Sequence, residues 1–126
     1  MKIKTLVNPQ FFNSLRKVMN AEIPVSLAWK LKGTVQFLEQ QHKAYDEMRR
    51  ELLAKHGEKD EKGEQKTDEV GNVSFKDDNA KEKFIAAHKE LLEQDVELES
   101  KIKISDIANI RLTTSDLLIL EDILQE

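Results

Sequence analysis

Residues Pro24–Gly57 read PVSLAWKLKGTVQFLEQQHKAYDEMRRELLAKHG. Nothing between Pro24 and His56 breaks a helix except Gly33. The apolar positions Leu27, Leu31, Val35, Leu38, His42, Tyr45, Met48 and Leu52 follow one another in steps of three or four, close to a coiled-coil seam. Gly57 comes after the basic pair Lys55-His56, which suits a helix C-terminus. At ~1.5 Å per residue, such a helix is on the order of 50 Å long. One amphipathic helix cannot bury its stripe alone, so a second must pack against it.

The second helix follows a polar interlude. Residues 58–79, EKDEKGEQKTDEVGNVSFKDDN, are too charged to hold a core. Val70-Gly71-Asn72-Val73 is a turn signal, and Val73 and Phe75 alternate with polar neighbours, so a charged loop or small β-hairpin is expected. Asp77, Asp78 or Asn79 caps a helix running to about Gln94, with Ala80, Phe84, Ala87/His88, Leu91 and Leu92 on its apolar face. This helix is expected to fold back antiparallel on the long one. With residues 56 and 79 near the apex, Leu52 faces Phe84, Met48 faces Ala87/His88, and Tyr45 meets Leu91.

The chain ends supply the rest. Met1–Val7 alternates as an edge strand would, with Lys2 and Lys4 discouraging stray pairing. Asn8-Pro9 is an N-cap and first-turn proline for a helix to about Asn20, whose face is Phe12, Leu15, Val18 and Met19, widened by Phe11. Val96, Leu98, Ile102 and Ile104 alternate with charged residues and predict a strand that pairs with residues 1–7 and 73–76. Ser105–Ile110 is a turn. Thr113, Thr114 or Ser115 caps a final helix burying Leu117, Leu120, Ile123 and Leu124, with Leu118 and Ile119 as extra apolar surface. The fold class expected is α+β, mainly α: a long antiparallel helical hairpin, a small β-sheet and a C-terminal helix. Residues 1–126 are expected to form a single domain, and no repeat recurs at a solenoid period.

Composition limits the function classes. The 126 residues suffice for a core without staples, and the absence of Cys rules out disulfides, thiolate metal sites and a cysteine nucleophile. The opening MKIKTLVNPQ lacks the pattern of a cleaved leader, and no apolar run reaches the ~20 residues of a membrane span. A soluble, cytoplasmic protein with no membrane partner is expected. Charged residues make up 35% of the chain, yet the net charge is only −4, so the signs are interspersed. A general nucleic-acid binder needs a more concentrated basic face.

No constellation of catalysis stands out. His42, His56 and His88 lack the spacing of a helical zinc site. His42 and His88 read best as histidines flanking a core, and His56 as a helix-end charge. Asp60-Glu61-Lys62-Gly63 and Asp68-Glu69-Val70-Gly71-Asn72 lack the ligand series of a calcium loop. The scattered glycines form no phosphate loop, and no nucleophile elbow is present. Glu121-Asp122 reads as solvated surface. The chain is expected to be no enzyme and to need no cofactor.

Interaction signals are stronger. Trp29 and Phe37 lie off the main seam, eight residues apart on nearly one helix face. They either pack on the N-terminal helix at Phe11, Phe12 and Leu15 or anchor a partner or a second copy. Together with Lys59, Lys66 and Phe75 of the polar interlude they are the candidate partner-binding residues. Arg16-Lys17 and Lys30/Lys32 make the N-terminal third basic, which leaves nucleic-acid binding as the alternative; Asp46, Glu47 and Glu51 partly neutralise Arg49-Arg50.

Several stretches carry a resemblance. Tyr45–Leu52 (YDEMRREL), Lys55–Gly63 (KHGEKDEKG), Asp68–Phe75 (DEVGNVSF), Ile104–Ile107 (ISDI) and Leu112–Leu117 (LTTSDL) together resemble small proteins encoded by tailed phages and prophages. The resemblance implies viral origin and expression in a bacterial cytoplasm, and brings no catalytic residues. The expectation is a phage accessory protein that binds another protein, either inhibiting a host protein or serving as a virion or assembly component.

Overall fold

A computed structural model describes residues 1–67 and 72–126. The chain is mainly helical, with a two-stranded parallel sheet and a C-terminal helix. It divides into two compact units: Met1–His42 with Gln94–Glu126, and Lys43–Glu93.

In the first unit, α1 (Ile3–Leu6) precedes α2 (Pro9–Met19), and α3 (Val25–His56) begins. Asn8 caps α2, its side chain accepting from the Gln10 N–H at 3.0 Å, with Pro9 in the first turn, as expected. α2 buries Phe11, Ser14, Leu15 and Val18; Met19, expected on that face, is 41% exposed. The start of α3 buries Leu27, Leu31, Val35 and Leu38 on the expected seam. These meet Leu6, Ile102, Ile107, Leu120, Ile123 and Leu124 in one core.

The expected strand at residues 1–7 is corrected to a single bridge and a helical turn. Lys2 pairs antiparallel with Asp95; the Met1 ammonium donates to the Val96 carbonyl at 3.1 Å and the Ile3 N–H to Gln94 at 2.9 Å. The chain then turns helical because a strand would set Leu6 with Lys2 and Lys4, facing solvent. One helical turn carries Leu6 inward, where it is fully buried.

The strand expected at 96–104 is likewise reduced. Only β1 (Ile102–Lys103) is strand, paired parallel with β2 (Leu124–Gln125) as Ile102↔Leu124 and Lys103↔Gln125. Both apolar members of this register are buried. Strand requires a backbone partner, and β2 offers only two residues. Residues Ile104–Ile107 coil into a 3-10 turn, and residues 73–76 find their partners in the other unit. α5 (Thr114–Leu120) packs on α2 and passes into a 3-10 turn at Glu121–Ile123. That tightening brings Ile123 and Leu124 inward but leaves Leu117 41% exposed, against expectation.

The second unit holds the end of α3 and α4 (Asp78–Leu92), capped by Asp77, whose carboxylate accepts from the Ala80 N–H at 2.8 Å. Tyr45 lies against His88 and Gly57 pairs with Phe75, so partners recede along the chain as α3 advances. Tyr45 meets His88 where Leu91 was expected, a shift of one helical turn. The seam loosens here, with Met48 45% exposed.

Between the helices, three short extended segments close on one another. Glu58 N–H donates to the Ser74 carbonyl (2.8 Å), Ser74 N–H to Lys66 (2.9 Å), and Lys66 N–H to Glu58 (2.9 Å). Bridges Gly57↔Phe75, Lys59↔Gln65 and Thr67↔Val73 flank this ring. Each segment pairs with both others, which protects strand edges in a stretch with little apolar surface. The turn that permits it is built by Asp60, whose carboxylate accepts the Lys62 and Glu64 N–H groups at 2.8 and 3.0 Å. Gly63 closes it at φ +81°, a conformation that favours glycine. The expected Val70-Gly71 turn lies outside the described residues.

Candidate functional site

Trp29 and Phe37 line one shallow groove of about 340 Å³ in the first unit, together with Gly33, Thr34 and Leu98. Phe37 is half-buried against the core, whereas Trp29 is 73% exposed. Trp29 therefore does not pack on α2; Phe12 instead meets Phe11 and His42, ring centroids 5.3 and 5.9 Å away. The Lys32 ammonium sits 5.3 Å from the Trp29 ring centroid, a cation–π contact worth ~0.5–1 kcal/mol at an exposed site. On the other flank of α3 a second groove, of about 500 Å³, is lined by Met19, Ile23, Ala28, Leu31 and Val35. Val25, 85% exposed, continues the apolar ridge one turn before Trp29.

The other three candidates lie in the second unit. Phe75 packs on Phe84, ring centroids 5.5 Å apart, and is half-buried, so internal packing uses it. Lys66 pairs with Glu58 at 3.4 Å. Lys59 is exposed and, with Lys55, His56, Lys76 and Lys83, lines a groove of about 710 Å³ beside Asp77. Lys55, Lys59, Lys76 and Lys83 have no ion-pair partner among the described residues. The N-terminal cations are less available. Lys17 is tied to Asp116 at 2.7 Å, and Arg16 donates to the Asn13 side chain at 2.9 Å.

Sequence reasoning missed Asp116, a carboxylate 1% exposed. Its Oδ1 accepts from the Ser14 hydroxyl at 2.6 Å, and its Oδ2 from Lys17 Nζ at 2.7 Å and the Thr113 N–H at 2.9 Å. Gln10 in turn donates to Ser14 Oγ at 2.9 Å. The Lys17 ammonium first, then the Ser14 hydroxyl and the Thr113 amide, hold the Asp116 carboxyl far below the usual carboxylate range. A carboxylate stabilised this strongly as an anion is a poor proton carrier at neutral pH, and its bonds are directed within the chain. It joins α2 to the start of α5. The available signal was the Thr113-x-x-Asp116 spacing of a capping box, which the structure forms in full.

His88 is the other perturbed group. Its Nε2 is 2.8 Å from the Tyr45 hydroxyl, and its ring stacks on Phe84 at 5.6 Å between centroids. Burial, helped by the Arg49 charge, holds its pKa below the usual imidazole value, and burial raises that of Tyr45. Among the described residues no group of three His, Asp or Glu side chains is placed to hold a metal ion, and no helix is long and apolar enough to cross a membrane. The chain matches no family model, no curated protein and no solved structure.

Proposed function

We propose that this chain is a phage-encoded accessory protein that acts by binding another protein, as an inhibitor of a host protein or as a virion or assembly component. The phage assignment rests on the resemblance of its sequence motifs. The binding assignment rests on Trp29, an indole 73% exposed at the edge of a groove floored by Phe37. A large aromatic left in water gives up roughly 1.5–3 kcal/mol of burial, and a partner that covers it recovers that energy. The experiment is capture from bacterial lysate on the immobilised chain and its Trp29→Ala variant, with purified particles probed for the chain. One host protein held by the native chain and lost by the variant supports inhibition; many copies per particle support a structural role. Equal capture by both chains, with none in particles, removes the reading.

A second reading, nucleic-acid binding, is favoured by the lysines around the groove at Lys55, Lys59, Lys76 and Lys83 rather than by the N-terminal third. Phosphate contacts by these lysines would make affinity fall steeply with added salt. Absence of DNA and RNA retention at about 50 mM salt dismisses it.

A further inference from the structure

We propose that the Trp29–Phe37 face of α3 is the contact between two copies of this chain, related by a two-fold axis passing beside Gly33. The proposal rests on reading that face as a protein-binding surface, and names its occupant.

The first observation is Gly33 itself. It sits inside a helix of 32 residues, where glycine weakens the backbone. A Cβ built on it meets nothing within 4 Å, so no neighbour in the chain requires a glycine there. Its missing side chain leaves a notch in an exposed row. Trp29, Gly33 and Phe37 are spaced by four, so they form one such row along α3. Rows of this kind pack against each other in the commonest helix crossings.

The second observation is symmetry. When a helix crosses its own copy antiparallel at residue 33, position 33 − n meets 33 + n. Trp29 of one copy then meets Phe37 of the other, and Phe37 meets Trp29. A two-fold interface requires this self-complementarity. The notch at the axis lets the backbones approach while both aromatic pairs close around it. An unrelated partner has no need for the aromatics to be equidistant from a glycine.

The test uses the full chain, which has no cysteine. Sedimentation equilibrium over a concentration series is expected to reach twice the 14.6 kDa chain mass. Gly33→Leu is expected to abolish the dimer while leaving the circular dichroism of the monomer unchanged. Gly33→Cys, placed on the axis, is expected to form an intermolecular disulfide under mild oxidation. Mixed Trp29→Cys and Phe37→Cys chains are expected to cross-link, and Trp29→Cys alone is not. A dimer that survives Gly33→Leu, or a Gly33→Cys chain that stays reduced and uncross-linked under the same oxidation, overturns the proposal. So does a monomer at every concentration; if that monomer still captures a partner through Trp29, the protein-binding function stands without this dimer.

Discussion

Ser14 donates its hydroxyl to Asp116 Oδ1 over 2.6 Å, across 102 positions of sequence. Both residues are buried, and Lys17 Nζ closes the cluster from α2 at 2.7 Å. A buried carboxylate is tolerated only when its lone pairs are filled, and here α2 and the start of α5 fill them together. The cluster thus fixes which face of α2 the C-terminal segment docks on, a choice that apolar contacts alone leave loose.

Acid should therefore loosen the first unit. The folded carboxyl of Asp116 is depressed below its ordinary value of 3.8, so the unfolded chain binds the proton first. The stabilisation is complete above that value and is lost as pH falls from about 5 towards the lower folded pKa. Melting temperature followed against pH should drop over this range in the native chain. Asp116→Asn should start lower at neutral pH and show a shallower acid slope. Parallel slopes in the two proteins would refute the assignment.

Two glycines in one helix and its end should respond oppositely to alanine. At Gly33 the added methyl meets open space, so Gly33→Ala should stabilise the chain by roughly 0.5–1 kcal/mol in dilute solution. At Gly57 the same methyl would lie 2.6 Å from the Leu53 carbonyl oxygen and 2.9 Å from Val73 Cγ1. Backbone cannot yield as a flexible side chain does, so Gly57→Ala should cost about 1–3 kcal/mol. Urea unfolding of the two variants beside the native chain checks both signs.

The longer helices were legible because their signals are local, whereas the single turn of α1 was read as a strand. Asn8-Pro9, the Leu27–Leu38 seam and the Lys55-His56-Gly57 stop each lie within a few residues, and each marks the element observed. The strands were not legible, because alternation reports a face but not a partner. Val96–Ile104 alternates well, yet β2 supplies only two residues to pair with. The ring of Glu58, Lys66 and Ser74 escaped for a different reason. Its residues recur every eight positions, and Asp60-Glu61-x-Gly63 repeats in sequence as Asp68-Glu69-x-Gly71, a period far shorter than a solenoid repeat. Of the candidate site residues, Trp29 and Phe37 were legible as a pair because they share a helix face. The use of Phe75 in internal packing was not, since Phe84 lies beyond a charged stretch that hides the contact.

The second unit should weaken on mild acidification. His88 is held below its ordinary pKa of 6.5 by burial and by Arg49, so folding favours the neutral ring. A depressed histidine contributes stability that is fully present above the unfolded pKa and is lost as pH falls below it. The imidazole resonances of His88 should titrate below pH 6.5, and amide exchange in α4 should quicken over the same range. His88→Gln should remove that pH dependence, and a titration midpoint at or above 6.5 would contradict the assignment.

Exposure decides what an aromatic contributes, and Trp29 and Phe11 make the contrast within one unit. Phe11 is fully buried, so Phe11→Ala should cost ~3–5 kcal/mol by transfer and cavity together. Trp29 is the larger side chain but is 73% exposed, so Trp29→Ala should cost no more than about 1 kcal/mol, chiefly the lost contact with Lys32. Trp29 is also the single tryptophan, which makes its emission a direct report on its surroundings. In dilute solution that emission should be that of a water-exposed indole and should be quenched readily by acrylamide. A blue shift with protection as concentration rises means that something has covered the ring. Strong protection already present in the dilute monomer would mean that Trp29 is packed within the chain and offers no surface to a partner.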